Sequence, residues 1–158
     1  MNNTIHSSDD FEGMRKAGNL AASTLDLLVE KVKPGISTEE LDNIAFDYII
    51  RHGGLIAPLF YKGYPKSVCT SINHVICHGI PSSRILENGD IVNIDVTVIV
   101  DGWHGDTSRM FPVGKINAKA QKLIDCTFHA MHEGINAAQP KATLGDIGSA
   151  VQIYAEKQ

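Results

Sequence analysis

The chain has 158 residues, a net charge of −4, 43% hydrophobic residues and 20% charged residues. That length suits one domain with a real core, burying roughly 70% of its unfolded surface. The mildly acidic balance, without a basic stripe, excludes a nucleic-acid surface, and the longest apolar run, Ile91 to Val100, is broken by Asn93, Asp95 and Thr97 and is not built to span a bilayer.

The start, Met1 to Asp10, is polar and acidic, without the basic and apolar regions of a secretory signal. A first helix is expected from about Asp9 to Val32, with Met14, Ala17, Ala21, Leu25, Leu28 and Val32 as its apolar stripe and Ser8 or Asp9 as its cap. Lys33-Pro34-Gly35 ends it. Ser37 and Glu40 form a capping box for a second helix, whose stripe is Leu41, Ile44, Ala45 and Tyr48. Gly53-Gly54 closes that helix, and residues 55–66 read as a loop rich in aromatic residues. Ser67 to Ile72 and Val75 to His78 read as strands. Ile91 to Val100 alternates as a strand with Val92, Ile94, Val96, Val98 and Val100 on one face. Asp101-Gly102 signals a two-residue hairpin turn, and Trp103 to Val113 is the returning strand. Helices resume near Ala118, with a stripe of Leu123, Thr127, Met131 and Ile135. Thr143 and Asp146 make another capping box, before the stripe Ile147, Ala150, Val151 and Tyr154.

A shift of 106 residues lays the second helix pair on the first. Pro34 meets Pro140, Ser37 meets Thr143, Glu40 meets Asp146, and Tyr48 meets Tyr154. Amphipathic helix pairs share some of this by periodicity alone, but the joint match of proline, capping box and stripe points to a two-unit fold. The expected organisation is one incomplete domain over 1–158, with a first αβ unit at 9–113 and the start of a second at 117–158.

The hairpin carries the most informative chemistry. With a two-residue turn, Val100 pairs with Trp103, Thr97 with Asp106, and Asp95 with Ser108. Asp95 and Asp106 then share a face as diagonal neighbours, with Cα atoms about 7–8 Å apart. Two carboxylates there repel one another and are costly to desolvate. Divalent metal ions, spaced about 3.5–4 Å apart in two-metal sites, remove both problems and can activate water for hydrolysis. A solvated sheet face fits the same pattern, since Thr97 and Ser108 lie beside the aspartates. His78, in Cys77-His78-Gly79-Ile80-Pro81, stands where a strand end breaks into a loop, and there a histidine can hydrogen-bond a substrate or serve the structure. Cys77 and His78 make a poor thiol–imidazole dyad, because neighbours on a strand point to opposite faces. The three cysteines, Cys69, Cys77 and Cys126, include no CxxC pair and suggest neither a disulfide framework nor a zinc finger, which fits a reducing cytosol.

Four blocks in order carry a resemblance: Gly63-Tyr64-Pro65-Lys66-Ser67-Val68-Cys69-Thr70-Ser71-Ile72-Asn73, Cys77-His78-Gly79-Ile80-Pro81, Gly89 to Thr97, and Gly102-Trp103-His104-Gly105-Asp106-Thr107-Ser108. Together they resemble type I methionine aminopeptidases over nearly the whole chain. The resemblance implies an α+β pita-bread fold, in which an antiparallel sheet is covered by helices, with the second half cut short. It implies a dinuclear site of two divalent ions (Co, Mn, Fe or Zn) with Asp95 and Asp106 as metal ligands. It gives His78 the role of hydrogen-bonding the substrate, and Tyr61, Tyr64 and Cys69 the lining of a methionine pocket. Carbonyls near Asn93 and Val96 resemble part of a monovalent-cation site.

The substrate implied is a peptide or nascent chain beginning with Met, in the cytoplasm, with no membrane and no nucleic acid bound and with ribosome association left open. In the family, the histidine ligand, a second catalytic histidine and both glutamate ligands fall beyond the position of Gln158. The 158-residue chain alone is therefore expected to bind metal poorly, to hydrolyse nothing measurable, and to self-associate through exposed apolar surface. Prolidase or Xaa-Pro aminopeptidase activity is the alternative within the same chemistry, and a half-protein that acts by binding is the alternative outside it.

Overall fold

A computed structural model describes residues 5–158; Met1 to Thr4 of the acidic start lie outside the described residues. The chain divides into two compact units, up to Lys115 and from Ile116 onward.

The first unit opens with helix α1, Ser8–Val29. Its cap is Ser7 rather than Ser8 or Asp9. The Ser7 hydroxyl accepts from Asp10 N, and the Asp10 carboxylate accepts from Ser7 N at 2.7 Å, so the acidic residue at the third helical position decides which serine caps. The helix stops three residues short of the expected Val32, where Lys31 N bonds Leu28 O at 3.0 Å in a tightened i→i−3 turn. Helix α2, Thr38–Arg51, starts at the expected box, with Glu40 accepting from Ser37 N and Oγ.

Four antiparallel strands follow. They are β1 (Leu55–Ile56), β2 (Cys69–Ile72), β3 (Ile91–Val100) and β4 (Trp103–Pro112). β3 is central. β4 pairs along one edge, while β2 and β1 lie end to end along the other. α1 packs across β3 and β4. Ala17, Leu20, Ala21, Leu25 and Leu28 of α1 meet Val92, Ile94, Val96, Val98 and Val100 of β3 in one buried cluster, joined by Leu41, Ala45 and Ile49 of α2. Val92 to Val98 on that face are wholly buried, and alternate residues of β3 therefore face the other way.

Two expectations differ here. The 55–66 stretch is not all loop, since Leu55 and Ile56 pair with Ile99 and Val98, and Tyr61–Gly63 forms one 3-10 turn. Val75 to His78 is not a strand. Asn73 turns the chain out with φ of 52°, and its side chain bridges Asp90 Oδ1 and Ile91 N. The residue that pairs beside β2 is Gly79, whose carbonyl accepts from Thr70 N at 2.8 Å.

The second unit is a helix pair, α3 (Ala118–Ala137) and α4 (Leu144–Glu156). Asn117 caps α3, and the Thr143–Asp146 box caps α4. The stripe expected on α3 is not the face that meets α4. Ala130 and Gly134 turn inward, and a Cβ on Gly134 would stand 2.9 Å from Val151 Cγ2, so the helices approach through small residues. Leu123, Met131 and Ile135 are exposed. No described helix is long and apolar enough to cross a membrane.

Candidate metal centre

The hairpin turn fixes the register. Asp101 and Gly102 both have positive φ, 50° and 85°, as a type I′ turn requires. From there the ladder runs without a bulge, pairing Val100 with Trp103, Thr97 with Asp106, and Asp95 with Ser108. Side chains alternate across a strand, so Asp95 and Asp106 share the face turned away from the α1 core, one diagonal step apart.

Asp95 is half-buried and Asp106 exposed. Burial holds the Asp95 carboxyl above its ordinary 3.8, and the neighbouring Asp106 charge adds to this, while His78 acts in the opposite sense. Neither carboxylate takes part in an ion pair among the described residues. This is a donor set that a divalent cation fits: two hard oxygen ligands on one rigid hairpin, with their charge unbalanced. Among the described residues, no group of three or more His, Cys, Asp and Glu could hold a metal ion.

Cys69 of β2 lies directly across from Asp95. It is buried, and burial pushes its thiol up. Tyr64 stands beside it. Burial, then Cys69, raises the phenol above its ordinary value, so the ring stays neutral and its hydroxyl donates toward Val68 O at 2.9 Å and Gly79 O at 3.1 Å. The strand pairings set Cys69 beside Asp95 and Asp95 diagonal to Asp106, so three of the six expected site residues are neighbours on the sheet. His78 stands on a loop, exposed and left-handed with φ of 56°. Tyr61 stands in the turn that precedes Tyr64. It is 65% exposed in the 3-10 turn, with Lys62 Nζ 5.4 Å from its ring centre. Asn93, on the carboxylate face, donates to Ser108 Oγ at 3.4 Å.

Two supporting residues are absent from the reading of the sequence. Asp42, buried on α2, accepts from Ser67 N at 2.7 Å and Val68 N at 3.1 Å, and so fixes the approach to Cys69. Ser71 Oγ accepts from Gly79 N at 3.1 Å. Asp42 had a signal: it interrupts the buried helical stripe Thr38, Ala45, Ile49, where an acid needs partners. Ser71 had none.

The profile of Metallopeptidase family M24 matches residues 12–158. The methionine aminopeptidase of Rickettsia prowazekii is 57% identical over 153 residues, which is 97% of this chain and 59% of that protein. Methionine aminopeptidase A of Synechocystis is 52% identical over 156 residues, covering 98% and 62%. The crystal structure of the Rickettsia prowazekii enzyme superposes with a TM-score of 0.96 at 56% identity, over 98% of this chain and 62% of that one. The chain thus spans about three-fifths of the length of these relatives.

Proposed function

This chain belongs to metallopeptidase family M24, and we propose that it forms part of an enzyme that hydrolyses the peptide bond after an N-terminal methionine. The observation that carries the reading is the unpaired carboxylate couple on the hairpin, Asp95 facing Ser108 and Asp106 facing Thr97. Relatives more than half identical bear the name methionine aminopeptidase.

Asp95 and Asp106 would hold divalent cations through carboxylate oxygens. Manganese, iron, cobalt and zinc all accept such ligands. A divalent metal in that position supplies Lewis acidity and charge neutralisation for hydrolysis. The chain's own residues do the rest. His78 presents a ring N–H or lone pair to the substrate amide or carbonyl. Cys69 and the Tyr64 ring offer a soft, buried wall for a thioether side chain. Tyr61 supplies an outer aromatic edge. Carbonyls at Asn93 and Val96 are the candidate contacts for a monovalent cation. The substrate is a peptide or nascent chain that begins with Met, met in the cytosol, and contact with the ribosome fits that substrate.

The 158-residue chain alone carries two carboxylates of the site, so it should bind metal weakly and turn over nothing measurable. A Met-Ala-Ser peptide separates the outcomes, offered to this chain and to the product of the complete reading frame that encodes it, with and without manganese or cobalt. Metal-dependent release of methionine by the full product, abolished by Asp106→Asn, is expected. Release that ignores both metal and Asp106, or release of dipeptides from Xaa-Pro substrates instead, would sink the reading.

A further inference from the structure

His78 lies on a loop that no helix or strand holds. Its backbone is left-handed, a conformation that non-glycine residues adopt at a cost and keep only where the surroundings over-determine it. The surroundings do so through the next residue. The Gly79 carbonyl accepts from Thr70 N at 2.8 Å and from the Tyr64 hydroxyl at 3.1 Å. The Gly79 N–H donates to Ser71 Oγ at 3.1 Å. A Cβ at 79 would stand 2.2 Å from Thr70 O, so the loop lies flat on β2 with no slack. Both polar ends of one peptide residue are thus tied down, and two of the three ties come from side chains.

We propose that the Tyr64 and Ser71 hydroxyls are positioning groups: together they latch Gly79 onto β2 and so fix the loop that carries His78. Tyr64 then has two separable parts. The ring walls the pocket, and the hydroxyl acts on the reaction only through His78. The neutral phenol has one O–H proton, which the carbonyls of Gly79 and Val68 share, and a phenolate would have none to donate. The same hydroxyl also donates toward Val68 O at 2.9 Å, and Val68 N is held by Asp42 at 3.1 Å. The latch therefore joins the pocket segment to the His78 loop. Its catalytic consequence rests on the role proposed above for His78; its structural consequence does not.

The test uses Tyr64→Phe, which keeps the ring, and Ser71→Ala, with two readouts. In the 158-residue chain, amide hydrogen exchange at Thr70 and Gly79 should quicken about tenfold in each variant, as expected for one lost hydrogen bond, while Val96 exchange stays unchanged. In the full reading-frame product with manganese and Met-Ala-Ser, Tyr64→Phe should lower kcat about tenfold and leave KM within about twofold. In a His78→Ala background it should cost nothing more, because a group that acts through His78 has no further effect once His78 is gone. Unchanged exchange at Thr70 and Gly79 in both variants overturns the latch. An equal loss in kcat with and without His78 also overturns it, since the hydroxyl would then touch the substrate itself. If the wild-type product releases no methionine, the proposed function fails, and the exchange readout still decides the latch.

Discussion

Gly105 on β4 lies against the carbonyl of Ala17 on α1: a Cβ at 105 would stand 2.2 Å from that oxygen and 2.6 Å from Gly18 N. Backbone meets backbone there, so neither side can move aside as a side chain could. The contact sets how deeply α1 sits on the sheet, one residue before Asp106. Replacing Gly105 with alanine must lift the helix or bend the strand. The expected cost is about 2 kcal/mol or more, the usual scale of overpacking in a tight core. Urea denaturation of the 158-residue chain measures it. A loss below about 0.5 kcal/mol, within the range of an ordinary surface change, would show that the helix is not in contact there.

Asp42 gives a second prediction, of a different kind. The residue is 4% exposed, and its carboxylate satisfies two backbone donors, Ser67 N and Val68 N. Lys66 lies 4.0 Å from its other oxygen, so the charge is not wholly uncompensated. Asp42→Ala leaves both N–H groups buried without acceptors. The expected loss is about 2–6 kcal/mol, from two unsatisfied donors at about 1–3 kcal/mol each. Asp42→Asn keeps an acceptor oxygen and should lose less than half as much. Equal losses for the two variants would mean that the carboxylate's charge, rather than its geometry, holds the segment.

The strand register was legible because one dipeptide decided it. Asp101-Gly102 admits a turn with two left-handed residues, and every pairing down to Ile91 and Pro112 then follows. That alone put Asp95 and Asp106 on one face. The second capping box was equally legible, because Ser37 and Glu40 satisfy each other within one turn. The His78 segment was not. Val75 and Ile76 look like strand residues, yet Ile76 is 93% exposed and the chain leaves β2 at Asn73. What brings it back is a hydroxyl from Ser71 and another from Tyr64, contacts between residues eight and fifteen apart that no periodicity records. The stripe on α3 misled for a similar reason. Leu123, Met131 and Ile135 have the right spacing to face a partner, but Ala130 and Gly134 allow the closer approach to α4.

The capping boxes make stability depend on pH in a calculable direction. Glu40 accepts from Ser37 N and Oγ, and those bonds hold its carboxyl below the ordinary 4.5. Ser7 lowers Asp10, and Thr143 lowers Asp146, in the same way, below 3.8. In each case the unfolded chain binds the proton more readily than the folded one. The stabilisation is therefore present above the unfolded value and is lost as pH falls through the folded one. Between about pH 5 and pH 3 the wild-type urea midpoint should fall more steeply than that of Glu40→Gln, whose amide still accepts but does not titrate. Parallel curves for the two proteins would remove Glu40 from the acid response.

Asp106→Asn asks whether the carboxylate couple is tuned for a cation rather than for the fold. Burial first, and the Asp106 charge second, hold the Asp95 carboxyl above its ordinary value, so the ionised pair opposes folding when no cation is near. Removing the Asp106 charge relieves that opposition and leaves a side chain of the same size on an exposed position. The metal-free 158-residue chain should become more stable at pH 7, on the order of 0.5 kcal/mol, since exposure screens much of the repulsion. A divalent cation favours the wild-type couple over the variant, so manganese should narrow the gap between the two midpoints and, at high enough concentration, reverse it. A couple built for folding alone would give the opposite sign at the first step, with Asp106→Asn less stable than the wild type before any metal is added.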